Sequence, residues 1–145
     1  AKVYAQLEGV SSVTASYTTA KRYNISPMLD LLSQVGGGLK ERDCLLSSFY
    51  DEKDSLQRGD MFLQAFKHPQ RIVLDCGSRF GYTFSAAEAF QLILGVLGVY
   101  SSESFSSFEV FSENKRQTDR VFVMHAALAG ANACALFSRH SMNKD

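Results

Sequence analysis

The most constraining feature of this sequence is an apolar segment that opens with a helix-start signal. Ser85 stands at the position of a helix N-cap, and Glu88 follows three residues later, which is the spacing of a capping box. Leu92 and Leu94 widen an apolar stripe whose members recur three to four positions apart: Ala86, Ala89, Phe90, Ile93, Val96 and Leu97. The pattern predicts a mostly buried helix over 86–99, with contacts on two of its sides.

Length and composition favour a single folded domain over residues 1–145. The hydrophobic fraction is 46% and the chain has only 2 prolines, so general disorder is excluded. Lysine and arginine together number 15, as do aspartate and glutamate, which gives a formal net charge of zero. This balance excludes a polybasic tail protein but allows a basic patch on one face.

Short apolar and β-branched segments, separated by charged or glycine-rich turns, predict strands on either side of this helix. Residues 26–32 fit a short helix, with Ser26 as N-cap and Pro27 at its first position, or an extended segment. Small residues predict a second, tightly packing helix over 126–137. The predicted strands cover 2–19, 44–50, 60–66, 71–76, 105–111 and 120–124, and a loop covers 112–119. The expected fold class is α+β, with two antiparallel sheets each followed by a helix and the helices packed at an oligomer centre.

Residues that could carry catalysis or bind a metal are scattered along the chain. The three cysteines are Cys44, Cys76 and Cys134, and they form no C-x-x-C pair. None of the three histidines stands at a useful spacing from a cysteine or carboxylate, and His125 fits a packing or capping role. We therefore expect no catalytic residues, no metal and no cofactor. The longest apolar run, 92–100, is too short to span a membrane, so a membrane partner is not expected.

Basic side chains interleave with aromatic ones through the predicted strands and their turns. Cations that follow phosphates, beside rings that stack on bases, are typical of proteins that bind single strands. Ordinary solvated charges on a meander explain the same spacing, and both interpretations stay open on the residues alone. The candidate RNA-binding residues are Lys40, Arg42, Arg58, Lys67, His68, Arg71, Arg79, Lys115, Arg116 and Arg120.

Two stretches of the sequence resemble the Whirly-type nucleic-acid-binding proteins. Residues 57–66, 71–82 and 83–90 resemble their strand, strand, helix passage, which includes a Ser-x-x-Glu box at the helix start. Residues 108–115 and 120–140 resemble the closing strand, strand, helix passage. The Lys-Gly-Lys strand of the plant proteins is missing, so the resemblance is nearer to the kinetoplastid mitochondrial RNA-binding proteins, which share the fold.

This resemblance implies an RNA-binding protein that holds guide RNA or another single-stranded RNA by its phosphates. It would promote RNA annealing in mitochondrial RNA editing, as one of two related subunits in a heterotetramer. The alternatives are a Whirly-type protein that binds single-stranded DNA, and an oligomeric scaffold module without a nucleic-acid role. A small enzyme using Cys76 or His125 is the weakest hypothesis. The expected location is the mitochondrion, or otherwise an intracellular, reducing compartment.

Overall fold

The computed structural model describes residues 3–14, 26–49, 64–66, 72–76, 85–100, 118–126 and 131–140. The strands in these segments are β1 (Gln6–Thr14), β2 (Asp43–Phe49), β3 (Ile72–Asp75), β4 (Arg120–Ala126) and β5 (Ala131–Ser138). The helices are α1 (Ser26–Gly36) and α2 (Ser85–Tyr100). The fold is therefore mixed α/β. Within the described segments, no helix has the length and apolar character needed to cross a membrane.

The described strands form one five-stranded mixed sheet in the order β1-β5-β4-β2-β3. Strand β5 pairs antiparallel with both β1 and β4, whereas β2 pairs parallel with both β4 and β3. The two antiparallel sheets expected from the sequence are therefore wrong for this part of the chain. The physical reason lies in β2 and β4, whose central residues are buried on both faces, as is usual for parallel strands.

Side chains alternate between the two faces of the sheet, and each face carries one of the two described helices. We call the face covered by α1 the closed face; its buried core is Leu31, Leu32, Leu45, Phe66, Phe122, Met124, Cys134 and Leu136. We call the face covered by α2 the open face; its buried core is Cys44, Leu46, Leu74, Cys76, Leu94, Val99, Val121 and Val123. Helix α1 packs on β1 and β5, whereas α2 packs chiefly on β4. The β1 side of the open face is therefore left without a described helix above it.

Helix α1 resolves the sequence ambiguity at residues 26–32 in favour of a helix. Leu31 and Leu32 are fully buried against the sheet, a burial that an amphipathic helix provides. The helix ends at Gly36, and the N–H of Gly37 donates to the carbonyl of Ser33 at 2.8 Å. Gly37 has a φ of 64°, the left-handed conformation that commonly ends a helix and that glycine adopts without strain.

Helix α2 begins at Ser85 and runs for 16 residues, as the capping-box signal predicts. Its approach to the sheet depends on Gly95. A Cβ atom at this position would lie 2.9 Å from Val123 Cγ2 and 3.2 Å from Phe137 Cδ2. The glycine thus lets the helix backbone lie closer to β4 and β5 than any other residue would allow.

Several sequence predictions are confirmed and others are wrong. Described strands coincide with the predicted 2–19, 44–50, 71–76 and 120–124, although β2 begins one residue earlier and β4 ends two residues later than predicted. The predicted helix over 126–137 is wrong, because β5 occupies 131–138. There, the pairing of β5 with β1 on one side and with β4 on the other overrides the helix preference of alanine. Residues 64–66, expected in a strand, are helical, and the predicted strand 105–111 lies outside the described residues.

Candidate functional site

Three of the ten predicted RNA-binding residues fall in the described part of the chain. Lys40 and Arg42 are exposed in the loop that connects α1 to β2. Arg120 starts β4, and only 12% of its side chain is exposed. The other seven lie outside the described residues, so the prediction for them stays a prediction: Arg58, Lys67, His68, Arg71, Arg79, Lys115 and Arg116.

Arg120 is engaged within the protein. Its Nη2 donates to Asp43 Oδ2 at 3.0 Å, and its Nε lies 3.0 Å from Asp43 Oδ1 in the same ion pair. Its Nη1 donates to the carbonyl of Gly36 at 3.1 Å, and Nη2 also donates to that of Gly38 at 2.9 Å. Arg120 therefore binds carbonyls at the C-terminal end of α1 and joins that end to the start of β2 and β4.

The described sheet does not present a basic surface. The side chains of β2 and β4 are mostly buried beneath the two helices. On β1, the exposed side chains include the apolar Leu7 and Val10 and the acidic Glu8, which accepts a hydrogen bond from Ser138. Single strands are held by cations and by accessible rings, and these exposed β1 side chains are neither.

The outer face of α2 is apolar and exposed. We define this outer face as Ala86, Ala89, Phe90, Ile93 and Leu97; the exposed fraction reaches 56% at Ile93. The inner face buries Leu94 and Val99, so α2 is apolar around most of its circumference and carries no lysine or arginine. Helices of this composition lie in the interior of a large protein or in a membrane. The outer face is therefore a candidate interaction surface.

A groove of about 330 Å³ lies beside α2 on the open face, between the helix and strand β1. The described residues that line it are Leu7, Val10, Glu88, Gln91, Leu92, Val123, His125, Ala133, Cys134, Ala135 and Phe137. Most of these are apolar, and none is a lysine or arginine. Volume and lining both fall in the range of small-molecule sites.

Two polar side chains of this groove have unused hydrogen-bonding atoms. His125 Nε2 lies 2.9 Å from Glu88 Oε1, and His125 Nδ1 has no hydrogen-bond partner among the described residues. Gln91 is 1% exposed, and neither its Oε1 nor its Nε2 has a partner there. Sequence reasoning took His125 for a packing or capping residue and did not single out Gln91. The available signal was that Gln91 is a lone carboxamide within the apolar stripe of α2.

All three cysteines are free thiols buried in the core. Burial raises the pKa of Cys134 to about 12. Burial, with smaller contributions from Cys76 and Asp43, also raises the pKa of Cys44. These two thiols therefore stay protonated at neutral pH, unlike reactive cysteines, whose pKa is lowered. Within the described residues, no group of three or more His, Cys, Asp or Glu is placed to hold a metal ion.

No protein-family model matches this sequence, and no curated protein matches it at a significant level. Solved structures do match, and they include ketosynthases and chain length factors. The ishigamide ketosynthase/chain length factor has a TM-score of 0.66 and 16% identity, over 97% of this chain and 39% of that chain. Ketosynthase twelve of the bacillaene polyketide synthase of Bacillus amyloliquefaciens has a TM-score of 0.61 and 12% identity, over 95% of this chain and 30% of its own.

A third structure is described as a type II polyketide synthase acyl-carrier protein in complex with its ketosynthase bound to the hexaketide. It matches with a TM-score of 0.55 and 14% identity, over 94% of this chain and 34% of that chain. At these identities the matches show a shared fold. The chain spans less than half the length of these solved chains.

These matches overturn the functional interpretation of the sequence. The resemblance to Whirly-type and kinetoplastid RNA-binding proteins is wrong, because the fold is that of ketosynthases and chain length factors. The same matches contradict what the resemblance implied, namely RNA binding, RNA annealing, RNA editing, the guide-RNA partner and the heterotetramer. The alternatives of a single-stranded DNA-binding protein and an oligomeric scaffold module gain no support either. The apolar open face gives the physical reason, since its described residues include no row of cations for a polynucleotide.

Proposed function

We propose that this chain is a partner-binding unit of a ketosynthase-like assembly that builds acyl chains. In this proposal the outer face of α2 packs against a related unit of ketosynthase fold on a second polypeptide. The chain supplies binding surface, and the reacting nucleophile belongs to the partner. In this pairing, the present chain would correspond to the chain length factor and its partner to the ketosynthase, the two proteins that the name of one matched structure joins.

The observation that carries the proposal is the exposed apolar outer face of α2. A helix that is apolar around its circumference needs protein on both sides, and the sheet covers only one. In the ishigamide structure, the matched part is 39% of the chain, so further protein accompanies this unit in that fold. A related unit is thus an occupant of suitable size and chemistry for the outer face.

The state of the described cysteines supports a role without covalent catalysis. A nucleophilic cysteine needs a thiolate, and burial opposes its formation at Cys44 and Cys134. Replacing Cys134 with alanine is therefore expected to leave the acyl product of the assembly unchanged. Loss of product from a variant that still folds and still binds its partner would contradict the non-catalytic role.

The proposal is tested by placing a charge on the outer face. Ile93→Asp puts a carboxylate where the partner would pack, and Ser33→Asp puts one on an exposed position of α1 as the matched control. Both positions are exposed, so we expect each free energy of unfolding to change by less than about 0.5 kcal/mol. The measurement is affinity capture of the tagged chain from its source cells, with mass-spectrometric identification and sedimentation of the complex.

We expect the wild-type chain and Ser33→Asp to purify with a ketosynthase-type polypeptide, as a complex of defined mass. Ile93→Asp is expected to lose at least about tenfold of this partner, because it would bury an unpaired charge. Equal recovery with Ile93→Asp would overturn the assignment of the interface. Absence of any ketosynthase-type partner from the wild-type sample would overturn the proposed function.

A further inference from the structure

The groove between α2 and β1 exists because β5 carries alanines on the open face of the sheet. Ala133 and Ala135 line the groove, and they pair with Ser12 and Val10 of β1. An alanine side chain is a single methyl group, so it leaves the space above the sheet unfilled. The small residues that predict tight packing in the sequence therefore form a depression here, with a volume of about 330 Å³.

The surface that the groove presents is apolar. Gln91 and His125 are among the lining residues, but Gln91 Oε1, Gln91 Nε2 and His125 Nδ1 are covered by the protein itself, so nothing in the groove can reach them. The lining includes the carboxylate of Glu88, which lies 2.9 Å from His125 Nε2, and no lysine or arginine. A second carboxylate would meet Glu88 without a compensating lysine or arginine, so the groove suits an uncharged apolar group.

Exposed apolar side chains lie on both sides of this groove. Leu7 and Val10 of β1 are 55% and 66% exposed and line one side, whereas Leu92 of α2 is 41% exposed and lines the other. In the described part of the chain, the exposed large apolar side chains all belong to residues 3–10 or to α2: Val3, Tyr4, Leu7, Val10, Phe90, Leu92, Ile93 and Leu97. Exposed apolar patches of this kind mark interaction sites, and the groove lies within this one.

We propose that the groove receives one or two large, uncharged apolar side chains of the ketosynthase-type partner, such as phenylalanine or leucine. This inference rests on the proposed function, because it states which groups of the partner pack beside α2. At about 30 Å³ for a water-sized group, roughly ten non-hydrogen atoms fit into about 330 Å³, which corresponds to one phenylalanine side chain together with one leucine side chain. Side chains that fill such pockets carry much of the affinity of protein interfaces.

A protein side chain fits the groove better than a free apolar molecule does, because the groove is continuous with the outer face of α2. Leu92 lines the groove, and its neighbour Ile93 belongs to the outer face. A small molecule in the groove would leave Ile93, Leu97 and Tyr4 in water. A protein that packs on the outer face lies beside the groove as well, so one partner covers both apolar surfaces.

The test fills the groove with a side chain of this chain itself and repeats the capture of the partner. Ala133→Leu places an isobutyl group in the groove, and Ser33→Leu adds the same group at an exposed position of α1 as the matched control. We expect Ala133→Leu to recover at least about tenfold less partner, because the anchoring side chain can no longer enter. Ser33→Leu is expected to recover as much as the wild type, and urea unfolding checks that both variants fold.

A second variant tests the groove without depending on how well a larger residue is tolerated. Val10→Asp places a carboxylate on the groove wall, and Val10 is 66% exposed, so the fold does not depend on its side chain. We expect this variant also to recover at least about tenfold less partner, because an apolar anchor would bury the charge unpaired.

Cross-linking identifies the group that enters the groove. The three native cysteines are buried, so in Val10→Cys a short thiol-linked diazirine labels the new cysteine. After irradiation of the purified complex, we expect a cross-link to a partner peptide that contains a large apolar residue. The same label at Ser33→Cys is expected to give no cross-link to the partner.

The outcomes separate this inference from the proposed function. If Ile93→Asp loses the partner while Ala133→Leu and Val10→Asp both fold and keep it, the groove assignment is overturned and the proposed function stands. Cross-links from Val10→Cys only to its own chain, or to a second copy of it, also overturn the groove assignment. If the wild-type chain captures no ketosynthase-type partner, the proposed function is overturned, and this inference with it.

Discussion

The two faces of the sheet differ in how completely the chain satisfies its own groups. On the closed face, α1 buries Leu31 and Leu32, and its C-terminal carbonyls are bound by Arg120. On the open face, α2 covers β4 but leaves an apolar groove, a Gln91 without a described partner and an exposed outer face. The closed face is covered by a helix that is anchored at one end, although a cavity of about 470 Å³ beside Gly36 and Leu136 remains there. The open face has the composition of a core but not its coverage, which is why both proposals concern it.

The largest effect is expected from breaking the charged pair of the closed face. Asp43→Ala leaves Arg120 partly buried without its carboxylate, which for buried pairs costs about 3–5 kcal/mol. Asp30→Ala, at an exposed position on α1, is the control and should cost less than about 0.5 kcal/mol. Urea unfolding measures both. A cost for Asp43→Ala as small as that of the control would show that the closed face does not depend on this pair.

A smaller effect is expected from adding one methyl group beneath each helix. In Gly36→Ala the new Cβ would lie 2.5 Å from Cζ of Phe122, a fully buried ring of the closed face. We expect a cost of about 1–3 kcal/mol. In Gly95→Ala the new Cβ meets Val123 Cγ2 at 2.9 Å, but α2 can move away from the sheet, and alanine favours the helix by about 1 kcal/mol.

Gly95→Ala is therefore expected to change the free energy of unfolding by less than about 1 kcal/mol. Thermal unfolding of the two variants measures the difference between the faces directly. Equal destabilisation would mean that α2 is held as firmly as α1, and the contrast drawn between the faces would be wrong.

The smallest effect concerns alkaline pH and the thiol of Cys134. Its pKa is raised from 9.0 to about 12 in the folded chain. Above pH 9 the unfolded state loses this proton while the folded state keeps it, so stability falls as pH rises from 9 to 12. The loss at pH 10 is about 1.4 kcal/mol. Cys134→Ala should show a shallower decline between about pH 8 and 10.5 in urea unfolding, and an unchanged slope would contradict the burial of this thiol.

The sequence was informative where local chemistry decides the structure. The capping box at Ser85 and the apolar run of β4 act over a few residues, and both elements lie where these signals predict. The prediction for strand β5 was wrong because its alanines favour a helix. Only pairing with β1 and β4 makes the strand preferable. Parallel pairing of β2 with β4 joins residues 43–49 to 120–126, and nothing in either segment specifies the other.

The candidate site was harder to predict for a related reason. A Ser-x-x-Glu box starts helices in unrelated folds, so it could not identify a family. Gln91 differs from its apolar neighbours by one carboxamide, and its importance depends on whether a partner atom lies nearby. That information comes from the packing of α2 on the sheet. Likewise, Arg120 looks like a surface cation until the carbonyls at the end of α1 are placed beside it.

The pairing of β1 with β5 has a consequence for synthesis of the chain. Glu8 and Ser138, which meet across these strands, are separated by 130 residues. At ribosomal rates, β1 would wait on the order of ten seconds for its neighbour to emerge. During that interval the unpaired backbone edge of β1 would be open to chaperones and to other nascent chains. Translation speed and chaperone supply should therefore govern the yield of this protein in a cell.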